Sequence, residues 1–146
     1  MTAPKLTSFH HVGLSVPDLD RAIAFYTDVI GFTLLDRAKW SDAPDLDRAI
    51  GAKESAGEFA MIELDGFCIE LFQFESPTAT TPSEPRIVGH GWTHICVKVD
   101  DAAAMHTALV NAGAKMHAEP FNIGDGPFAY ARDPFGNIIE IWQDET

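Results

Sequence analysis

Two histidines and two glutamates stand where they could bind a metal ion. His11 and His94 each open an apolar, strand-like stretch, HVGLSVPD and HICVKVDD. Glu70 and Glu140 lie inside the apolar stretches GFCIELFQ and GNIIEIWQ. A carboxylate with apolar neighbours is costly to bury unless it is paired or bound to a metal. Two imidazoles and two carboxylates suit one divalent first-row ion, such as Ni, Co, Zn, Mn or Fe.

The four residues belong to two copies of one pattern. After each histidine-led stretch comes a segment with helical periodicity, at 18–31 and 100–113, and each segment ends in a glycine. A glycine is common just past the end of a helix. Each copy then ends in a predicted hairpin, turning at Asp65-Gly66 in the first copy and through Asp133-Pro134-Phe135-Gly136 in the second. The repeat predicts two βαβββ modules.

Strand alternation places the four candidate ligands on the face away from the helices. Val12, Leu14 and Val16 share one strand face and should pack under the helix, which leaves His11 on the other face. The same parity places Glu140 and Trp142 together in the last strand. Taken alone, a strand histidine is more often structural and a glutamate in an apolar strand more often faces solvent. Their equivalent positions in two repeats favour ligation.

The repeat also predicts the architecture. If the modules pack around a pseudo-twofold axis, their open faces form one cup with all four ligands on its floor. We therefore expect an α+β fold, with a cup-shaped mixed sheet and the helices outside. Four protein ligands would leave about two octahedral positions for water or substrate.

The length of 146 residues indicates one domain, 1–146. Within it we predict module 1 at about 8–75, a linker rich in proline and small polar residues at about 75–91, and module 2 at about 92–143. One segment of about 20 residues, 39–58, breaks the symmetry and contains a predicted short helix. It is either a surface insertion or a lid over the substrate.

Composition narrows the functional classes. The 22 acidic and 10 basic residues give a net charge of −12, which argues against nucleic acid and anionic membranes as partners. The N-terminal residues show no signal-peptide pattern, and no apolar run is long enough to span a membrane. The two cysteines cannot form a disulfide framework. These features predict a soluble, cytoplasmic protein.

Other polar residues carry weaker signals. Cys68 and Cys96 share the predicted ligand face, and we interpret them as small buried thiols. Lys98 could hold an anionic substrate at the rim or be a solvated strand-end lysine. By parity His10 should point toward the helix layer. The remaining histidines, which have no partner pattern, are His90, His106 and His117.

Three segments carry a family resemblance: FHHVGLSVPDLDRAIAFYTDVIGF, GHGWTHICVKVDD and YARDPFGNIIEIWQ. They resemble the vicinal oxygen chelate superfamily, which includes glyoxalase I, bleomycin-resistance proteins and extradiol dioxygenases. The resemblance runs from about Phe9 to Gln143. It implies paired βαβββ modules around one divalent metal, with His11, Glu70, His94 and Glu140 at the family's ligand positions.

The ligand set resembles one branch more than the others. Extradiol dioxygenases and fosfomycin-modifying enzymes typically use two histidines and one glutamate, whereas this His/Glu/His/Glu set is similar to bacterial glyoxalase I. Two positions depart from that branch: Ser15 replaces its usual arginine and Phe74 its usual asparagine. These departures argue against glutathione, and Phe72, Phe74 and Trp142 favour an apolar or aromatic substrate.

The resemblance and the residues together predict a metal-dependent lyase or isomerase. A small substrate with vicinal oxygens would chelate the metal, and Glu140 or Glu70 would move a proton alpha to a carbonyl through an enediolate. Two alternatives remain: a small Fe(II) extradiol ring-cleaving dioxygenase, and a ligand-binding or sequestering protein on the same scaffold. By analogy with relatives we expect a homodimer.

Overall fold

The computed structural model describes residues 6–80 and 87–145. Residues 1–5, residues 81–86 of the predicted linker and residue 146 lie outside the described residues. The chain forms two compact units that divide between Ala79 and Thr80. Within the described ranges, no helix combines the length and the hydropathy that crossing a membrane requires.

The first unit is one mixed sheet with a helix packed on one face. In chain order its elements are β1 (Val12–Ser15), α1 (Leu19–Ala24), a π-helical turn (Phe25–Ile30), β2 (Thr33–Trp40), α2 (Pro44–Ile50), β3 (Ala56–Leu64) and β4 (Phe67–Ser76). The strand order is β1-β4-β3-β2, with β1 parallel to β4 and the other neighbours antiparallel.

The second unit repeats this topology. Its elements are β5 (Ile95–Lys98), α3 (Ala102–Asn111), β6 (Lys115–Met116), β7 (Phe121–Asn122), β8 (Pro127–Arg132) and β9 (Ile138–Trp142). The order is β5-β9-β8-β6, β7 also pairs with β8, and β5 is parallel to β9. The predicted α+β class and the βαβββ repeat are therefore confirmed. The cup depends on how the two units are placed and stays a prediction.

The helices begin and end where the sequence predicted. The Asp18 carboxylate accepts a hydrogen bond from the Arg21 amide at 3.0 Å, and Asp101 caps α3 in the same way, at 2.9 Å from the Ala104 amide. These caps satisfy amides that have no partner within the helix. Gly31 ends the first helical segment with a φ of 99°. The π-helical turn before it is a difference from the prediction.

A glutamine fixes each helix to the strand that carries the candidate glutamate. The Gln73 side-chain oxygen accepts a hydrogen bond from the Leu19 amide at 2.7 Å. The Gln143 oxygen accepts one from the Ala102 amide at 2.8 Å. Both bonds occupy first-turn amides that the helix itself leaves free. The repeat therefore extends to individual hydrogen bonds.

Both predicted hairpins are present. Asp65 and Gly66 have φ values of 49° and 80°, the positive values that a two-residue hairpin turn of the I′ type requires. In the second hairpin, the buried Asp133 carboxylate accepts hydrogen bonds from the Phe135 and Asn137 amides at 2.8 and 2.9 Å. The Asn137 side-chain amide donates a third, at 2.8 Å. These turns set the registers of β4 and β9.

Candidate metal-binding pairs

The first unit brings His11 and Glu70 together. His11 directly precedes β1, and Glu70 lies in β4 opposite Gly13 in the parallel register. His11 Nε2 is 3.1 Å from Glu70 Oε2, and the carboxylate side chain is 20% exposed. The imidazole and the carboxylate therefore meet at one end of the β1–β4 pair.

The second unit brings His94 and Glu140 together in the same way. His94 directly precedes β5, and Glu140 lies in β9 opposite Cys96. The Nε2–Oε2 distance is again 3.1 Å, and the Glu140 side chain is 11% exposed. Glu140 is thus the more buried of the two glutamates, and the His94 imidazole contacts its carboxylate.

The donor set of each pair fits a divalent metal. Adjacent ligand atoms on an octahedral ion are about 3.0 Å apart when each bond is about 2.1 Å long. The observed 3.1 Å separations match this value. The pairs lie in different units, and among the described residues no group of three or more His, Cys, Asp or Glu side chains is gathered. The four-residue ligand set stays a prediction.

Neighbouring residues orient both imidazoles. His94 Nδ1 is 2.8 Å from the Thr93 hydroxyl, which leaves Nε2 toward Glu140. Such a contact to the second ring nitrogen commonly fixes a metal-binding histidine. His11 Nδ1 is 2.6 Å from His10 Nδ1, with the rings edge-on. The prediction that His10 points to the helix layer is wrong: it is exposed, because β1 begins only at Val12 and strand parity does not reach it.

Tyr130 and Cys96 flank the Glu140 carboxylate from the neighbouring strands. Tyr130 pairs with Glu140 across β8–β9, and its ring is 5.2 Å from that of His94. Partial burial, followed by the Glu140 charge and a hydrogen bond to it, raises the pKa of Tyr130. The same causes, with Lys98 opposing them, raise the pKa of Cys96 to about 11, so its thiol stays protonated at neutral pH.

The sequence analysis did not single out Tyr130. Its position follows from the Asp133-to-Gly136 hairpin, because a fixed turn also fixes which residue faces Glu140. The cysteine prediction is partly wrong. Cys68 is half-buried. Cys96 as a whole residue is exposed, since it lies on the face of β5 away from the helix, although its thiol is partly desolvated beside Glu140.

Aromatic rings extend the ligand face of the first unit. We call Trp40, Phe59, Phe72 and Phe74 the aromatic cluster. The Phe72 and Phe74 rings stack at 5.8 Å, and Trp40 meets Phe74 edge-on at 5.3 Å. Phe72 lies two residues beyond Glu70 on β4, on the same face. An apolar wall thus adjoins the first candidate ligand pair.

The second unit has an aromatic group of its own. The rings of Phe128 and Trp142 stack at 5.7 Å, and Phe121 meets Phe128 at 4.8 Å. Trp142 lies two residues beyond Glu140, as Phe72 does beyond Glu70. Each candidate pair is therefore followed along its strand by an aromatic residue.

Lys98 and three further histidines lie outside the two pairs. The Lys98 ammonium is 2.8 Å from the Asp144 carboxylate, and this bond lowers the pKa of Asp144. Lys98 is thus an exposed lysine that already has a carboxylate partner. His106 is 3.5 Å from Glu119, the exposed His117 lies parallel to Tyr130 at 6.4 Å, and His90 is exposed. None of these histidines joins a candidate pair.

Comparison with known proteins identifies the family. Residues 8–141 match the Glyoxalase/Bleomycin resistance protein/Dioxygenase superfamily, and the chain belongs to it. It is 31% identical to a 2-epi-5-epi-valiolone epimerase of Actinomyces, over 94% of this chain and 80% of the relative. It is also 31% identical to a probable lactoylglutathione lyase of Vibrio parahaemolyticus, over 92% and 89%.

A solved structure matches the whole chain. A glyoxalase family protein from Bacillus cereus superposes with a TM-score of 0.91 at 25% identity, covering 100% of this chain and 99% of that one. The sequence-based assignment to the superfamily is therefore confirmed. Members named for lyase and epimerase activities are both among its relatives.

Proposed function

We propose that the protein is a metal-dependent lyase or isomerase of the glyoxalase I type, which transfers a proton at a carbon next to a carbonyl. The observation that carries this proposal is the repeated His–Glu pair, with the same 3.1 Å separation in both units. A lyase name and an epimerase name among the relatives support the same chemistry. Both reactions can begin by removing a proton alpha to a carbonyl.

We propose that His11, Glu70, His94 and Glu140 together hold one divalent ion, either Ni, Co, Zn, Mn or Fe. The donor chemistry and the separation within each pair support this set. When bound, the ion supplies a Lewis acid for the vicinal oxygens of a small substrate. Such a shared site also requires the two units to act as one domain, 1–146, joined by the linker at about 75–91.

Glu140 is the preferred general base, and Glu70 is the alternative. Glu140 is the more buried carboxylate, and Tyr130 and His94 restrict its position. A carboxylate held in this way can accept a proton from the substrate and return it to the same carbon or its neighbour. Thr93 supports the arrangement by holding the His94 ring.

One observation favours a second candidate function. The aromatic rings beside both pairs would suit the ring of a catechol, which is the substrate class of an Fe(II) ring-cleaving dioxygenase. This reaction consumes molecular oxygen, whereas proton transfer does not. Oxygen dependence therefore separates the two candidates.

The test uses the whole protein loaded with Ni²⁺, Co²⁺ or Fe²⁺. Under anaerobic conditions in D₂O, proton NMR follows the α-protons of two hydroxyketones, hydroxyacetone and 2-hydroxyacetophenone. We expect metal-dependent deuterium incorporation that metal-free protein does not catalyse. An oxygen electrode measures uptake with catechols in parallel. Stoichiometric oxygen uptake without deuterium incorporation would replace the proposal with the dioxygenase.

We also propose that the protein is a homodimer, by analogy with the relatives. Large apolar side chains are exposed in both units, Phe9 and Trp92 among them, and burying them against a second copy would be favourable. Sedimentation equilibrium at micromolar concentration should give twice the chain mass of 15.9 kDa. A monomeric mass under those conditions would contradict the proposal.

A further inference from the structure

We propose that Trp40 is a specificity-determining residue and that it selects substrates carrying a flat apolar ring next to their vicinal oxygens. The inference rests on the proposed function, because it assigns the substrate class of that same site. The ring would lie against Trp40, Phe72 and Phe74, while the oxygens face the His11–Glu70 pair.

The cluster lies beside the candidate ligands within one sheet. Phe72 and Glu70 share a face of β4, and Gly13, opposite Glu70, leaves the Phe72 ring accessible from β1. A Cβ atom at Gly13 would be 3.7 Å from Phe72 Cε2, so the ring edge reaches the ligand end of the sheet. Trp40 is 6.1 Å from Phe72 and 5.3 Å from Phe74. Apolar ring surface therefore runs from Glu70 to Trp40.

Residues 39–58, the segment that the second unit lacks and that we call the extra segment, hold the indole in place. Trp40 Nε1 donates a hydrogen bond to the Ser55 hydroxyl at 3.0 Å. The Ser55 hydroxyl and its backbone amide both donate to one carboxylate oxygen of Asp47, in α2. Ser55 is 1% exposed, and its hydroxyl bond lowers the pKa of Asp47, which keeps the acceptor ionised. The chain from Asp47 through Ser55 fixes the end of the Trp40 side chain.

The other side of the indole is fixed by a glycine. Trp40 is paired with Gly57 across β2–β3. A Cβ atom at Gly57 would be 2.6 Å from Trp40 Cη2 and 2.3 Å from the Gln73 carbonyl oxygen. Glycine therefore lets the indole lie directly on the strand, where its position is set from both sides.

A fixed indole binds a ring more tightly than a mobile one. Ordering a side chain costs free energy on binding, and the Ser55 and Gly57 contacts have already restricted this one. Aromatic surface prefers apolar rings in stacked or edge-on contact. The described part of the second unit has no helix before β8 that would correspond to α2. The support that α2 and Ser55 give to Trp40 is therefore specific to the aromatic cluster of the first unit. The extra segment thus acts as a support for Trp40.

The test compares 2-hydroxyacetophenone with hydroxyacetone in the deuterium-exchange assay. Both carry the same hydroxymethyl ketone, and they differ in a phenyl against a methyl group. We expect the wild type to exchange the phenyl compound with a kcat/KM about tenfold higher. Trp40→Leu should remove most of this preference, mainly by raising KM for the phenyl compound. Equal kcat/KM for both compounds in the wild type would overturn the inference.

The anchor is tested by a matched pair of substitutions in α2. Asp47→Ala removes the acceptor that holds Ser55, and it should lower the phenyl preference in the same direction as Trp40→Leu. Asp45→Ala is the control, since this neighbouring carboxylate is exposed and pairs with Arg48. It should keep the full preference. An equal loss in both α2 variants, or no loss in either, would overturn the role of the anchor.

A binding measurement keeps the inference separate from the proposed function. Saturation-transfer NMR on metal-free protein detects the phenyl protons of 2-hydroxyacetophenone at the protein surface. We expect saturation transfer to these protons in the wild type and much less in Trp40→Leu. Thermal unfolding checks that the variant folds. Trp40→Phe keeps an aromatic ring and should retain part of the transfer. Unchanged transfer in Trp40→Leu overturns the inference. Absent exchange with both ketones, with transfer intact, overturns only the proposed function.

Discussion

His94 Nε2 lies 3.1 Å from Glu140 Oε2, and the equivalent atoms of His11 and Glu70 are separated by the same distance. The agreement follows from strand pairing. In each unit a histidine directly precedes the first strand, and a glutamate lies in the strand parallel to it, in the same relative register. Backbone hydrogen bonding therefore determines how the donor atoms meet.

The ligand prediction is tested by metal binding. His11→Ala and Glu140→Ala should each raise the Kd for Co²⁺ by at least about 100-fold, because each removes a direct donor and even outer-shell partners contribute 10–100-fold. His106→Ala is the control, since that residue pairs with Glu119. Metal content after gel filtration and calorimetric titration are the measurements. Metal loss in the control but not in His11→Ala would contradict the repeat alignment.

The contact between Thr93 and His94 should contribute to metal affinity. Thr93→Val removes the hydroxyl beside Nδ1 and nearly preserves side-chain volume, so we expect the Kd for Co²⁺ to rise about 10-fold or more. Thr107→Val makes the same chemical change on α3, where the hydroxyl bonds to the Ala103 carbonyl. It should leave the Kd unchanged. Identical affinities for both variants would exclude an orienting role for Thr93.

Replacing the two glutamates should separate the base from a simple ligand. Glu140→Gln should lower the deuterium-exchange rate by about 100-fold or more per bound metal ion, because a neutral amide cannot accept the proton. Glu70→Gln should lower the deuterium-exchange rate per bound metal ion by no more than Glu140→Gln does. Rates are divided by measured metal content to remove the effect of weaker binding. A larger loss for Glu70→Gln would assign the base to Glu70.

The Asp133 turn should be important for stability. Asp133→Ala removes the carboxylate that accepts three hydrogen bonds, from the Phe135 and Asn137 backbone amides and from the Asn137 side chain. The loss of these bonds should lower the free energy of unfolding by about 2–4 kcal/mol. Asp125→Ala, at an exposed position, should change it by less than about 0.5 kcal/mol. Urea unfolding measures both. If Asp133→Ala left the free energy of unfolding nearly unchanged, the turn would form without this carboxylate.

The Arg37 ion pairs should produce a defined acid dependence. Arg37 binds Glu58 through Nε at 2.7 Å and Nη2 at 3.0 Å, and this bond lowers the pKa of Glu58 from 4.5. A lowered folded-state pKa stabilises the protein above the ordinary pKa, and this contribution is lost as pH falls through the lowered value. Arg37→Met should therefore be destabilised at neutral pH, with the difference shrinking below pH 4.5.

Urea unfolding between about pH 3 and pH 7 measures this dependence. Arg48→Met is the matched control, since Arg48 forms an exposed pair with Asp45 within α2. It should differ little from the wild type at any pH. A difference for Arg37→Met that stays constant through acid pH would contradict the assignment to Glu58.

Strand periodicity explains why the His–Glu pairs could be predicted to share a sheet face, while their metal binding stays a prediction. Glu70, Phe72 and Phe74 alternate with buried Ile69 and Leu71, so parity alone places them on one face. The repeat then transfers each assignment to the other half. Parity still holds for His11, which directly precedes β1, but it fails for His10, which lies one residue further from the strand.

Contacts between distant residues also escaped prediction. The bond from Trp40 to Ser55 depends on where the chain returns after α2, and no local pattern encodes that return. The Lys98–Asp144 pair joins positions 46 residues apart for the same reason. Sequence reasoning therefore predicted the elements and faces well, and it missed the polar contacts that hold single side chains in place.

Gly57 has a consequence for how this chain tolerates sequence change. Because an added methyl group would clash with both the Gln73 carbonyl oxygen and the Trp40 ring, any other amino acid there has to displace the neighbouring strand or the indole. At Gly13 a methyl group would only reach van der Waals contact with Phe72. In a saturation mutagenesis screen, position 57 should be as strictly constrained as a metal ligand, although it carries no functional group. Natural selection at position 57 would preserve the absence of a side chain, because the space is taken by the Gln73 backbone and the indole.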